Sequence, residues 1–517
     1  MRKKEEDRRG RDEKPGYTVK GPAPDRCSQE RPTDPCIFVI LGASGDLTSR
    51  KLIPALYNLH RKAGLPEPFR IVGCGRTPLT DESFRENMAP DERDAKSWND
   101  FSRFLHYVEL IYDSEQSYRH LADCLKKLEG AAGTAGNRVF YLAIPMFLYP
   151  EAVRMLGASR LAGPENREGW TRLVVEKPYG SDRRSAAELD EVIHRTFDEK
   201  QIFRIDHYLA KETVQNILTV RFANSIFEPI WNRNYIHRVE ITAIETLGVG
   251  KRASYYEKAG VLRDMFQNHM LQLLAMTAME PPSSFDQAAV HEEKIKLFRS
   301  LRPFPVDDLF GNLVLGQYGP GAIDGVPVRG YREEEGVSAS SLTPTYGRMR
   351  VFIDNWRWQG VPFFLTSGKR LASKLTRIAI TFRDVPVRMF GSGLGEGLSP
   401  NVLSIGIQPA ENITLAFQTK NPGARMCLRT SEMAFDFRKG YLGPALTAYE
   451  KALLDCLRGD QMLFWHRDGI DLAWAFIDPV LARCESCGEK ERLVPIYEAG
   501  SEGPAEAGRL QDGEGEG

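Results

Sequence analysis

Short, fully apolar blocks alternate with helix-spaced apolar positions through the first part of the chain. CIFVIL (36–41) is bounded by Pro35 and Gly42, and Leu52, Ala55, Leu56 and Leu59 then recur at helical spacing. FRIVG (69–73), VFYLAI (139–144) and the run 173–175 repeat the block; Pro145 closes the second of these and Glu176-Lys177-Pro178 the third. A block without polar alternation reads as a strand covered on both faces, and strand–helix–strand units of this kind build a doubly wound parallel sheet. After about residue 208 the pattern changes. RVEITAI (238–244) and IAITF (378–382) alternate, and long helical patterns lie between such segments. The change predicts a second domain of α+β type with a largely antiparallel sheet, and a boundary near 205–212, where ligand sites commonly lie.

The pattern therefore divides the chain into four parts. Residues 1–34 are charged and aperiodic, which predicts a disordered tail. Residues 35–207 form the parallel-sheet domain and 208–497 the α+β domain. Residues 498–517, rich in Gly and Glu, read as a disordered acidic tail.

One helical pattern is unusual. VLRDMFQNHMLQLLAMTAM (261–279) is apolar at most positions and should be nearly fully buried. Yet Asp264, Asn268 and Gln272 form an i, i+4, i+8 polar stripe with His269 beside it. Buried polar groups cost free energy unless paired, so the stripe lines a polar network or a site. His269 suits proton removal near neutral pH, although a histidine on such a helix also serves structure alone.

Composition narrows the partners. With 517 residues, two large domains are the default. Lys+Arg is 69 against 70 for Asp+Glu, so no overall basic excess points to nucleic acid or an anionic membrane. No apolar run approaches the roughly 18 residues that span a bilayer. The N-terminus lacks the apolar core of a secretory signal, and eight scattered cysteines fit reduced thiols, so a cytoplasmic location is expected. Cys484 and Cys487 form a C-x-x-C pair without two further ligands nearby, so no metal site is expected there.

Strand 36–41 runs straight into Gly42-Ala43-Ser44-Gly45-Asp46-Leu47, and a helix follows. Glycines permit a tight turn and close backbone approach to a pyrophosphate, which the N–H groups of a helix N-terminus would receive. The spacing is G-x-x-G rather than G-x-G-x-x-G, with Leu47 where a third glycine would stand, and a plain strand-to-helix turn gives the same string. After strand 69–73 no acidic residue is placed to accept from a ribose 2′-hydroxyl. Arg76 stands there instead, with Arg50 and Lys51 adding charge. Its forked donors suit a 2′-phosphate and favour NADP over NAD, unless Arg76 is simply solvated.

Two further clusters are cationic. In RIDHYLAKE (204–212), His207 and Lys211 would share one helix face with Tyr208 beside them. That face suits a phosphate monoester, or equally the solvated side of an amphipathic helix. Gly368-Lys369-Arg370, with Lys374 close behind, follows the apolar run 361–365; lysines there meet a ligand or simply solvent.

Taken together, these segments resemble the glucose-6-phosphate dehydrogenase family. The resemblance runs through GASGDLTSRKLIPALYNL (42–59), VVEKPYG (174–180), RIDHYLAKETVQNIL (204–218) and RFANSIFEPIWNRNYI (221–236). It continues through YYEKAGVLRDMFQNHMLQLL (255–274), GVPFFLTSGKRLASK (360–374) and YEKALLDCLRGDQMLF (449–464), and covers about residues 36–497. It implies a Rossmann-like coenzyme domain, then a larger α+β domain with a mixed, mostly antiparallel sheet of about nine strands. It further implies NADP as coenzyme, glucose 6-phosphate as substrate, and a homodimer or homotetramer. Gly42, Ser44, Gly45, Asp46 and Leu47 would form the coenzyme loop, with Arg76 on the 2′-phosphate and Lys177 between coenzyme and sugar. His207, Tyr208, Lys211 and Lys374 would hold the 6-phosphate, and Glu245, Asp264 and Lys369 the sugar hydroxyls. His269 would be the general base and Asp206 its carboxylate partner.

Three positions depart from the family pattern. Ala210 replaces a glycine, Met146 follows Pro145 where a second proline is frequent, and Thr366-Ser367-Gly368-Lys369 has lost an arginine. None removes a group the chemistry needs. The competing expectations are a dual NAD/NADP enzyme, one acting on other hexose 6-phosphates, and a catalytically silent NADP-binding regulator. Retention of His269, Asp206, Lys177 and Lys211 speaks against the last.

Overall fold

The computed structural model describes residues 33–512, apart from 91–93, 164–168, 388, 390–398, 424–426 and 438–445. The expected N-terminal tail lies almost wholly outside the described residues. No helix among the described residues is long and apolar enough to cross a membrane.

Six strands form the first sheet: β1 (Cys36–Leu41), β2 (Phe69–Gly75), β3 (Leu105–Glu109), β4 (Arg138–Leu142), β5 (Thr171–Val175) and β6 (Ile202–Arg204). They lie in the order β3-β2-β1-β4-β5-β6, all parallel. This is a doubly wound Rossmann-like sheet whose connections reverse between β1 and β4. Every residue of β1 is buried. Ile37, Val39 and Leu41 feed one apolar cluster and Cys36, Phe38 and Ile40 the other, which is why the strand reads as an unbroken apolar block. Each such side chain contributes about 1.5–3 kcal/mol by burial.

The second sheet has ten strands: β7 (Ile236–Ile244), β8 (Leu313–Ile323), β9 (Val326–Val328), β10 (Tyr346–Val351), β11 (Phe363–Gly368), β12 (Leu375–Phe382), β13 (Val402–Gln408), β14 (Asn412–Lys420), β15 (Leu428–Asp436) and β16 (Ile496–Ala499). Their order is β15-β14-β13-β12-β7-β11-β10-β8-β16, with β9 on β8. Only the β7–β11 and β8–β16 pairings are parallel, so the sheet is mixed and mostly antiparallel. One apolar cluster runs without a break from the first sheet to β7 and β11 of the second.

Within the span 208–497, helix Ala448–Arg458 reaches back to the first sheet: Ala452, Leu453, Cys456 and Leu457 pack with β1 residues. Three expectations need correction. The supposed tail from 498 begins inside β16, and Leu510 is buried in a cluster with Tyr497. Its glycines serve close approach: a Cβ on Gly500, at φ +89°, would lie 2.0 Å from the carbonyl oxygen of Ala322. Residues 207–210 form a turn rather than a helix, and the helix Glu212–Phe222 starts only after Lys211. There Asp206 Oδ1 accepts the N–H of Tyr208 at 2.9 Å, a local bond that competes with helix. Finally, 261–279 is not one regular helix: Leu262–Met270 is wound as a π-helix and Leu271–Ala278 as an α-helix. Wider winding of this kind often marks functional positions.

Candidate active site

At the carboxyl end of the first sheet, β5 delivers Lys177 and β6 delivers the turn 206–211. The π-helix Leu262–Met270 lies across them and presents Asp264 and His269. From the second sheet, β7 ends next to Glu245 and β11 next to Lys369. The carboxyl edge of such a sheet is where ligands bind.

His269 is fully buried, and its Nδ1 lies 2.7 Å from Asp206 Oδ1. An ionised carboxylate only accepts, so the shared proton sits on Nδ1 and leaves a lone pair on Nε2. Lys177 Nζ donates to that lone pair at 2.6 Å. Burial, then the charge of Lys177, lowers the His269 pKa against the opposing pull of Asp206. Burial also pushes the Asp206 carboxyl up, but the charge and hydrogen bond of His269, with His207, outweigh it and hold Asp206 well below the usual range. His207 is driven well down, first by burial and then by His269 and Lys177. The result is a neutral, oriented imidazole whose proton-accepting atom meets the Lys177 ammonium. Asp206, His207 and His269 could present three ligand atoms within 4.8 Å of one another. The ammonium beside Nε2 repels a cation there.

Around this pair lie groups able to hold a polyol. Asp264, buried, lies 3.4 Å from Lys177 Nζ and 3.3 Å from Arg252 Nη2, and accepts the Tyr255 hydroxyl at 3.3 Å. Burial opposes its ionisation, but Lys177, Arg252 and Lys369 hold its pKa well below the usual range. Lys369 pairs with Glu245 Oε2 at 2.6 Å. The C-terminal strand fixes that loop: Tyr497 donates its hydroxyl to Lys369 O at 2.6 Å, and Gly500 N–H donates to Arg370 O at 2.8 Å.

The cationic end adjoins Tyr208, whose ring stacks on His269 with centroids 4.2 Å apart. Lys211 Nζ stands 4.3 Å from the centroid of the same ring and donates to Gln408 Oε1 at 2.7 Å. Burial, then repulsion from Lys374, lowers the Lys211 pKa to about 8. The exposed Lys374 thus adds its charge to that of Lys211, and an anion received by both would offset their repulsion. Ala210 is buried in the apolar cluster under the first sheet, so its extra methyl adds to packing rather than altering the cationic end.

At the turn after β1, Gly42 has φ +97°, and a Cβ there would fall 2.3 Å from Ala143 O. Only glycine fits, and the chain turns tightly into the helix. Ser44 and Asp46 are exposed there, while Leu47 packs partly into the core. A Cβ on Gly75 would lie 3.3 Å from Ser44 Oγ, so the end of β2 abuts the loop and places exposed Arg76 next to it. Arg50 is not spare charge: it pairs with Asp46 at 3.3 Å. From the end of β2 to that of β5 is three strand steps, about 14 Å. Met146, the unusual residue after Pro145, lines a 180 Å³ cavity at the far end of this crevice with Lys177, Pro178, Tyr255 and Asn268. The open glycine turn, the exposed arginine and this apolar cavity fit a dinucleotide laid along the crevice.

The structure thus brings Lys177, Asp206, His207, Tyr208, Asp264 and His269 together, and places Lys211, Lys369, Glu245 and Lys374 around them. Gly42–Leu47 and Arg76 form the second, adjoining locus. Arg252, Tyr255 and Gln408 were not anticipated; only the spacing of Arg252 and Tyr255 ahead of Asp264 could have signalled two of them. Cys484 and Cys487 stand apart, and burial pushes the Cys484 thiol up to about 12, away from thiolate chemistry.

Comparison with known proteins covers both sheets. The model of the glucose-6-phosphate dehydrogenase NAD binding domain matches residues 39–216, and that of the C-terminal domain residues 218–516. A glucose-6-phosphate 1-dehydrogenase of Aggregatibacter actinomycetemcomitans is 46% identical over 482 residues, covering 92% of this chain and 95% of its own. One of Chlamydia pneumoniae is 42% identical, covering 94% and 96%. A solved glucose-6-phosphate dehydrogenase in complex with its substrate glucose-6-phosphate aligns with a TM-score of 0.85 at 34% identity, over 93% of this chain and 98% of that one. The chain belongs to the glucose-6-phosphate dehydrogenase family.

Proposed function

We propose that the protein oxidises the C1 hydroxyl of glucose 6-phosphate to a 6-phosphogluconolactone, with NADP as the hydride acceptor. One observation carries this reading: a buried, neutral imidazole held by Asp206 with its Nε2 against the Lys177 ammonium, beside the Tyr208 ring over which Lys211 stands. The family and the substrate complex of a 34%-identical relative support it.

Lys211 and Lys374, with His207 and Tyr208, would hold the 6-phosphate. Asp264, Glu245 and Lys369 would take the ring hydroxyls. Binding energy at the phosphate, remote from C1, would hold the sugar so that its C1 hydroxyl meets His269 Nε2. His269 then accepts the hydroxyl proton, and Asp206 stabilises the imidazolium that develops. Lys177 leaves its contact with Nε2 and donates to the sugar, and its charge keeps His269 deprotonated beforehand. When bound, the dinucleotide supplies the hydride acceptor at its nicotinamide ring. The turn Gly42–Leu47 would receive its pyrophosphate, Arg76 its 2′-phosphate, and Lys177 would lie at the nicotinamide end. The chain would work in the cytoplasm as a homodimer or homotetramer.

The test is turnover of the purified protein on glucose 6-phosphate and other hexose 6-phosphates, with NADP and NAD, read by absorbance of the reduced nicotinamide. Rapid reduction of NADP with glucose 6-phosphate is expected. Absence of reduction with either coenzyme sinks the reading, and equal rates with both coenzymes sink the NADP assignment.

A further inference from the structure

Lys294 is 3% exposed, and its ammonium has no hydrogen-bond partner among the described residues. A buried, unpaired ammonium is costly and calls for an electrostatic reason. Two buried acceptors are also without a donor among the described residues: Asp206 Oδ2, on the carboxylate that orients His269, and Gln272 Oε1.

Packing brings the helix that carries Lys294 against the one that carries Gln272, directly behind His269. Helix Gln287–Arg299 packs against Leu271–Ala278. Phe298, one turn beyond Lys294, stacks on Trp465 with centroids 5.8 Å apart, and Trp465 Nε1 donates to Asn268 Oδ1. Gln272 is one turn beyond Asn268. The short connection 279–286 makes the two helices antiparallel neighbours, so Lys294, one turn back from Phe298, runs alongside the stretch beyond Asn268 that holds Gln272. Asp206 is the acidic group whose charge acts on Lys294; with burial lowering the lysine, its pKa settles at about 8.

We infer that Lys294 is a positioning residue for the proton transfer, acting on His269 through the back of the Asp206 carboxylate. This deepens the function proposed above and rests on its assignment of His269 as base. Lys294 supplies donors that reach Asp206 Oδ2 and Gln272 Oε1 through a buried water. Its positive charge balances part of the Asp206 field. Without it, the carboxylate would act on the imidazole undiluted and make His269 more basic, so the base would fill with a proton at a higher pH. The other titratable or charged groups facing the pair are Lys177, His207 and Asp264 on the ligand side, with His291 beside Lys294.

Lys294→Met keeps the length and removes the charge; Lys294→Arg keeps the charge. In the full-length protein, Lys294→Met should move the acid limb of the kcat/KM profile upward by about 0.5–1 pH unit. Lys294→Arg should leave the limb near wild type. His269 is also followed directly by NMR of histidine-labelled protein, assigned with His269→Gln, and its pKa should rise in Lys294→Met alone. That reading does not need turnover, so an inactive wild type would overturn the proposed function while the lysine remains tested. Lower activity with an unmoved limb and an unmoved His269 resonance, shared by both variants, would make Lys294 a packing residue and overturn the inference.

Discussion

The two ends of the cleft rest on opposite electrostatic terms. At the proton-transfer end, Asp206, His269, Lys177 and Asp264 form a continuous chain of contacts, with His269 and Asp206 essentially excluded from solvent. At the anion end, Lys211 has a neutral partner, Gln408, and a like-charged neighbour, Lys374. At the first end the tautomer and orientation of His269 are set by Asp206 before any ligand arrives, and Lys177 is the group that moves when the sugar binds. The second holds repulsion between Lys211 and Lys374 that a bound anion offsets, so it gains on binding. Catalysis and affinity should therefore fail separately when each end is broken.

Breaking the proton-transfer end should give the largest effect. His269→Ala should lower kcat by about 10²–10⁴-fold, the usual worth of a positioned general base. Substrate affinity by calorimetry should survive, because the lysines are untouched. A variant with near-wild-type kcat would remove His269 from the mechanism. Breaking the other end should do the reverse: Lys211→Met should raise KM by about 10–100-fold, the worth of one charge-assisted bond, with kcat changed only a few-fold. If kcat fell in proportion as KM rose, the two ends would not be separable.

The coenzyme crevice sharpens the same division, because Arg76 belongs to neither end. Arg76→Ser should weaken NADP by roughly tenfold or more and leave NAD nearly unchanged, since only the 2′-phosphate distinguishes them. Equal losses for both coenzymes would mean that Arg76 does not read the 2′ position.

Legibility in the sequence followed the same physics. β1, β2, β4 and β5 showed themselves because strands covered on both faces leave unbroken apolar blocks. β3 (LHYVE) and β6 (three residues) did not, being mixed or too short to set a period. The stripe on 261–279 marked the site because polar atoms in a buried helix need a reason. The turn at 207–210 was hidden, since its cause is one Asp206 side chain bonding its own backbone rather than any periodicity. The ordered end from 498 to 512 was hidden because its glycines and glutamates have the composition of a disordered tail. Gly500 is nevertheless dictated by the approach of Ala322. Gln408 and Lys294 came from the packing of distant elements, and in the string each is one polar residue among many.

The smallest effect expected tests the contrast between the ends most directly. Lys211 in the free protein titrates at about 8, because burial disfavours its ammonium and Lys374 repels it. A bound dianion opposes both and raises that value. Binding therefore takes up a proton whenever Lys211 is neutral beforehand. By linkage, affinity is fully present below the free-protein value and is lost as pH rises through it. KM should be flat up to about pH 8 and then climb, approaching roughly tenfold per unit, until the value of the complex is reached. Over the same window kcat should stay level, because burial and Lys177 hold the His269 pKa down, below it. Lys374→Ala removes the repulsive neighbour and should move the break in KM to higher pH, while lowering affinity at neutral pH. A KM that stayed flat through this window, or a break that ignored Lys374, would mean the two lysines do not share one anion, and the contrast between a finished end and a waiting end would lose its basis.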